Sequence, residues 1–351
     1  MTTVENMSES GFRQLRTWRR AGLPRKNPLV IVGALVAAIS LAACSYTPTL
    51  ISSPTGDKLP PALDDTRMNA ILESTNAASA AGDQARDWQP LASRFTNPAL
   101  AMRNGEYVVT GTTQGATISG LPLTKPQAMV VQEAGKWPRY AFTVSPATEG
   151  QSLFVFAFAQ SHARANYSLW GYVKLFPKVK FPATFKPEVG SPAVPAKSKD
   201  FLVNPGGVAP SYAALLNNPE DPAKDFFDTA LDSFMATYKE RRTSYDELVK
   251  GARGLSVTIS AAPGPDGFVA LGTTDGGALV MSEVTYEVTM KSERRLNLGP
   301  AAKAMAGKAS AASTLSEKHT ALVLFSVPPA GSKAKVSVLG ASDATTAMSA
   351  D

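Results

Sequence analysis

The 351-residue chain holds one cysteine, Cys44, and two histidines, His162 and His319. A lone cysteine excludes an intramolecular disulfide, so burial has to hold the fold together. It also leaves no cysteine cluster for zinc and no spare thiol nucleophile. A zinc site usually takes three or four His, Cys or carboxylate ligands. The two histidines lie far apart in sequence, with no carboxylate motif beside either. The sequence carries no Gly-x-Ser-x-Gly, no Ser-x-x-Lys followed by Lys-Thr-Gly, no His-Glu-x-x-His, no P-loop and no dinucleotide fingerprint. We therefore expect no catalytic, metal-binding or cofactor-binding residue, and no enzyme.

Charge is also scarce, at 18% of residues, and its formal net of +6 misleads. The first 43 residues contribute six of the 35 basic and two of the 29 acidic residues, which leaves 29 against 27. That near-balance gives no basic surface for nucleic acid.

The first stretch to carry a signal is Leu41-Ala42-Ala43-Cys44. It follows a long basic segment, Met1–Lys26, and sixteen uncharged residues, Pro28–Ala43. A charged n-region, a short apolar h-region and small residues before the cut define a signal peptide. The apolar run is shorter than the roughly 20 residues of a spanning helix. Leu three positions before a cysteine, with small residues between, is the pattern of a lipobox. Residues 1–43 are thus expected to be a lipoprotein signal and Cys44 the site of lipid attachment, anchoring the chain without spanning the membrane. Arg19-Arg20 resembles a twin-arginine export signal, although Gly22 stands where an aromatic is usual. Ser45–Pro61 is rich in Pro, Ser and Thr without a period, and residues 44–63 read as a flexible tether.

The rest of the chain predicts an α+β fold of two consecutive domains. Each domain is read as helices followed by a curved antiparallel sheet, like a nuclear-transport-factor-2 or cystatin roll. The first covers residues 64–177, with helices over Asp64–Gly82 and Trp88–Arg103. Its strands are expected at Tyr107–Thr113, Ala128–Glu133, Arg139–Ser145, Ser152–Gln160 and Tyr167–Phe176. Residues 178–206 are a Pro-rich connector. The second domain covers 207–342, with helices over Gly207–Asn217 and Pro222–Gly251 and five later strands. In Ala278–Lys291, Val284, Tyr286 and Val288 alternate with Glu283, Thr285 and Glu287, which predicts one wet face. Residues 343–351 are expected to be a disordered tail. Phe154, Phe156 and Phe158 share one face of their strand, and Trp170 and Tyr172 one face of the next. These aromatics are either core against the helices or the wall of a ligand cavity.

Three stretches carry a resemblance. They are Lys136-Trp137-Pro138-Arg139, the run from Tyr167-Ser168-Leu169-Trp170-Gly171-Tyr172 to Pro187-Glu188-Val189-Gly190, and Val327-Pro328-Pro329-Ala330-Gly331-Ser332 with Val338-Leu339-Gly340. They resemble a family of uncharacterised actinobacterial lipoproteins carrying a domain of unknown function. The resemblance spans about Asp64 to Gly340 and implies an exported lipoprotein, with no activity or site attached. The expected function is a non-catalytic binding or scaffold module, held by its lipid on the extracytoplasmic face of the cell membrane. Its partners would be the membrane and an envelope protein or polymer, with no nucleic acid and no metal. The alternative is a carrier of a small apolar ligand. A transporter's solute-binding protein would alternate β and α elements, and this chain does not.

Overall fold

In the computed structural model, which describes residues 59–351, the first helix, α1 (Asp65–Ala85), starts on a capping side chain. Asp64 Oδ1 accepts the backbone N–H of Arg67 at 2.8 Å, satisfying one of the free donors of the first turn. A short 3-10 turn (Gln89–Ser93) leads to α2 (Ala99–Thr112). The strand expected over Tyr107–Thr113 is therefore helix. Its threonine hydroxyls are satisfied within the helix, Thr110 Oγ1 donating to Glu106 O at 2.7 Å and Thr112 Oγ1 to Val108 O at 2.9 Å.

Four antiparallel strands follow: β1 (Ala128–Val131), β2 (Arg139–Val144), β3 (Phe154–Gln160) and β4 (Ser168–Leu175). After the connector come α3 (Val208–Asn217), a 3-10 turn (Pro222–Asp225), β5 (Phe227–Asp228) and α4 (Ser233–Gly251). The helix expected over Pro222–Gly251 is thus split. Asp232 restarts it by accepting the N–H of Met235 at 2.9 Å. The remainder is β6 (Leu255–Gly272), β7 (Ala278–Ser292), β8 (Leu296–Asn297), α5 (Pro300–Ala306), β9 (Ser310–Ala311), β10 (Thr314–Val327) and β11 (Val336–Ala350).

The α+β class holds, but the two separate sheets do not. Strands from both expected domains form one nine-stranded sheet in the order β1-β2-β3-β4-β11-β10-β7-β6, with β5 paired parallel to β11. The two-roll arrangement is thereby overturned, and the described residues 59–351 lie in a single unit. The physical reason lies in the long strands. Leu279 and Met281 of β7, with Leu322 and Leu324 of β10, face a core shared with α1, α2 and β1–β4. The alternate residues Val280, Val323 and Phe325 face a second core under α3 and α4. An apolar strand covered on both sides cannot end at a domain surface. Gly171 of β4 lies against Met281 and Leu322, closing that first core. Only the far half of β7 keeps a wet face, with Glu287 exposed, while Glu283 is buried and accepts the N–H of Asp266 at 2.7 Å.

Two further corrections concern the ends. Residues 343–351 are not a disordered tail: through Ala350 they are the second half of β11, paired with β10 from Asp343↔Ala321 to Ala350↔Leu315. The connector is tied down as well. Ser191 N donates to Val131 O at 2.7 Å, and Gly272 N donates to Pro192 O at 3.0 Å, linking β1 to β6.

Helix α2 crosses β11 at Gly105. A Cβ there would lie 2.0 Å from the carbonyl oxygen of Thr345. Backbone cannot yield as a side-chain tip does, so Gly105→Ala should push helix and strand apart at a cost of about 2 kcal/mol or more. Thermal unfolding should register a midpoint lowered by roughly 5 °C. An unchanged midpoint would show that α2 does not dock at Gly105.

Candidate functional site

The helix that docks on β11 also carries the most buried charge, Arg103, whose side chain is 2% exposed. Burial alone would disfavour its charge, so the surrounding groups must supply partners. Asp83 of α1 lies 2.7 Å from Nη2, Glu106 Oε2 lies 2.6 Å from Nη1, and Ser119 O accepts from Nη2 at 3.0 Å. Burial opposes the guanidinium's charge, but Glu106, Tyr172 and Asp83 outweigh it and raise its pKa. Tyr107 OH donates to Asp83 at 2.6 Å, and Tyr172 OH donates to Glu106 Oε1 at 2.9 Å. Burial, then the Glu106 charge, pushes the Tyr172 hydroxyl well above its ordinary pKa, so it stays a donor.

This network floors a cleft of about 390 Å³ between α2, β3, β4 and β11. Its lining includes Arg103, Glu106, Phe154, Tyr172, Lys174 and Asp343. The Lys174 ammonium sits 5.6 Å from the centre of the Phe154 ring and makes no ion pair among the described residues. Arg103 and Glu106 are saturated by their neighbours. The charge the cleft can present to a ligand therefore comes from Lys174 and Asp343.

Asp343 joins the cleft to a second cluster. Its Oδ2 accepts from Tyr286 OH at 2.7 Å, and Arg241 also donates to that hydroxyl. The Tyr286 ring stacks on His319 at 4.3 Å and 7°. His319 Nε2 lies 2.9 Å from Glu317 Oε1, which Thr345 Oγ1 also reaches at 3.0 Å. The hydrogen bond from His319 outweighs burial and holds the Glu317 carboxyl below its usual pKa. Burial, reinforced by Asp343, raises that of Tyr286.

A carboxylate does stand near His319 in sequence, Glu317 two residues earlier, and strand register supplies the other neighbours. Position 319 is opposite Tyr286 and Thr345, and Glu317 shares its face two residues away. His162 is exposed in a turn. Of the aromatic wall, Phe154 and Tyr172 line the cleft and Trp170 lines a separate one beside Tyr140 and Phe268. Phe156 and Phe158 are core, at 1% and 0% exposure. Leu41, Ala42, Ala43, Cys44, Arg19 and Arg20 lie outside the described residues. Sequence reasoning passed over Arg103, Glu106, Lys174, Tyr286, Glu317 and Asp343. The Arg103-x-x-Glu106 spacing was the available signal, because residues three apart share a helix face.

The profile of a domain of unknown function (DUF8094) matches residues 60–350. The chain belongs to the DUF8094 family. No curated protein and no solved structure matches it. The matched span contains the whole of both clusters, so cleft and network are built within this DUF8094 domain. Among the described residues, no helix of the domain is long and apolar enough to cross a membrane, and no group of His, Cys, Asp and Glu is arranged to hold a metal ion.

Arg103→Met would leave Asp83 and Glu106 facing each other without their shared cation. We expect a stability loss of about 3 kcal/mol or more, against about 1 kcal/mol for Tyr172→Phe. Denaturant unfolding of the two variants measures both. Equal losses would show that the ion pairs do not hold α1 to α2.

Proposed function

We propose that this DUF8094 chain is a lipid-anchored lipoprotein of the cell envelope, of actinobacterial type, that serves as a non-catalytic binding or scaffold module on the extracytoplasmic face. The observation that carries the reading is Leu41-Ala42-Ala43-Cys44 behind a basic segment and an apolar run. Two acyl chains on Cys44 would hold the protein stably, at about 0.8 kcal/mol per buried CH₂. From Pro60 onward the chain is bonded to the β1 end, with Ala134 N donating to Pro60 O at 2.8 Å.

Recognition is assigned to the cleft of Phe154, Tyr172, Lys174 and Asp343. Support for binding rather than catalysis is chemical. Arg103, Glu106 and His319 each spend their hydrogen-bonding capacity on a neighbour, which suits a rigid surface better than a proton-transfer site. The packing of Phe156 and Phe158 favours surface recognition over carriage of an apolar ligand behind that wall.

Metabolic labelling with a clickable fatty acid tests the anchor. The wild-type chain should take up label and fractionate with membranes, and Cys44→Ser should do neither. A Cys44→Ser chain that is still acylated would refute it. Immobilised protein should retain isolated cell-wall material above control beads, with retention reduced several-fold by Lys174→Glu. Equal retention by control beads would remove the binding role.

A further inference from the structure

The sheet ends on β6, and the first half of that strand has an open edge. Two independent observations fix which backbone groups face outward. Leu255 pairs with Ser292, whose N–H turns away to Ser313 O at 2.8 Å. In an antiparallel ladder the bonding direction alternates by residue, so Leu255, Val257, Ile259 and Ala261 all point away from β7. At Ala261 this is visible directly. The Asn217 side chain accepts its N–H and donates to its C=O, both at 2.8 Å, standing in for a neighbouring strand. Val257 and Ile259 have no such cap among the described residues.

The exposed edge reads Leu-Ser-Val-Thr-Ile-Ser over 255–260, with no charge and no proline. Natural edges are usually blunted by one or the other. Ser256, Thr258 and Ser260 are exposed, while Val257 and Ile259 are half-buried against the core under α4.

We propose that this edge pairs antiparallel with the same edge of a second copy, about a two-fold axis at Val257. In that register Leu255 faces Ile259 of the other copy and Val257 faces Val257. About four N–H···O bonds form, using the groups left open. Every pair on one side is apolar, and on the other Ser256 meets Thr258. A two-residue shift that set Leu255 against Ala261 is blocked, because Asn217 already occupies Ala261, and the Leu255 N–H is taken by Ala252 O at 3.2 Å, which leaves the N–H groups of Val257 and Ile259 as the donors. The proposed anchor plays no part in this inference.

Register-specific cross-linking tests it in the full-length chain. Facing residues 256 and 258 form a non-hydrogen-bonded pair with Cα atoms about 4.5 Å apart, within disulfide range. Differently tagged Ser256→Cys and Thr258→Cys chains, co-expressed and mildly oxidised, should give at least about five-fold more covalent dimer than either alone or than the wild type, whose Cys44 sets the background. Ser260→Cys with Thr258→Cys should stay at background. Adding Val257→Pro, which removes an N–H that β7 does not use, should abolish the dimer. Equal yields in all pairings, or a dimer that survives Val257→Pro, would overturn the proposal.

Discussion

Everything in this molecule depends on how β11 is held. It pairs with β10 along its length, receives β5 in parallel, and meets β4 through only two residues, Gly340↔Leu175 and Ala341↔Lys174. That short contact is the seam between the β1–β4 strands and the long strands of the C-terminal half. It requires close backbone approach: a Cβ on Gly340 would lie 2.3 Å from Lys174 O. Phe176 N donating to Leu339 O at 2.9 Å extends the seam by one bond. The second close approach, Gly105 over Thr345, sets α2 on the same strand. Two glycines thus let one strand be touched by a sheet edge and a helix at once.

The polar site follows from that geometry. Setting α2 on β11 places Arg103 and Glu106 opposite Tyr172 and next to Asp343. The cleft mouth is what remains between helix and strands once those groups have satisfied one another. On the far side of Asp343, the stacked Tyr286 and His319 carry the network under α4, where Arg241 and Tyr238 close over the ring. Buried polar groups of this kind stabilise only when partnered; Arg103, Asp83, Glu106 and Tyr172 partner one another, while the buried Tyr238 hydroxyl has no partner among the described residues. A ligand at Lys174 and Asp343 would therefore meet a surface already ordered.

Local patterns were readable where local forces decide. The helix expected from Asp64 and the strands β1 to β4 all lie close to where periodicity put them. What failed was decided by tertiary contacts. Tyr107–Thr112 has the composition of a strand but is helix, because Tyr107 reaches Asp83 and the helix docks on β11 at Gly105. The two-domain reading rested on element order. It missed that Leu279 and Met281, on a strand read as half-wet, join Leu322 and Leu324 of the next long strand in a second apolar face. The C-terminal residues 343–351 look like a tail because they are small and polar. They are a strand because β10 supplies the ladder. In the site, Phe154 and Tyr172 were legible as an aromatic face. The Glu317–His319 pair was open to reading, since residues two apart share a strand face, but its meeting with Tyr286 and Asp343 was not, because that depends on the register of three strands.

The central claim is that strands from both halves of the chain form one cooperative sheet through β11. Scanning calorimetry of the full-length chain addresses it most directly. The account predicts a single transition, with calorimetric and van't Hoff enthalpies agreeing. Two resolved transitions, or a calorimetric enthalpy about twice the van't Hoff value, would contradict it and restore two independently folding domains.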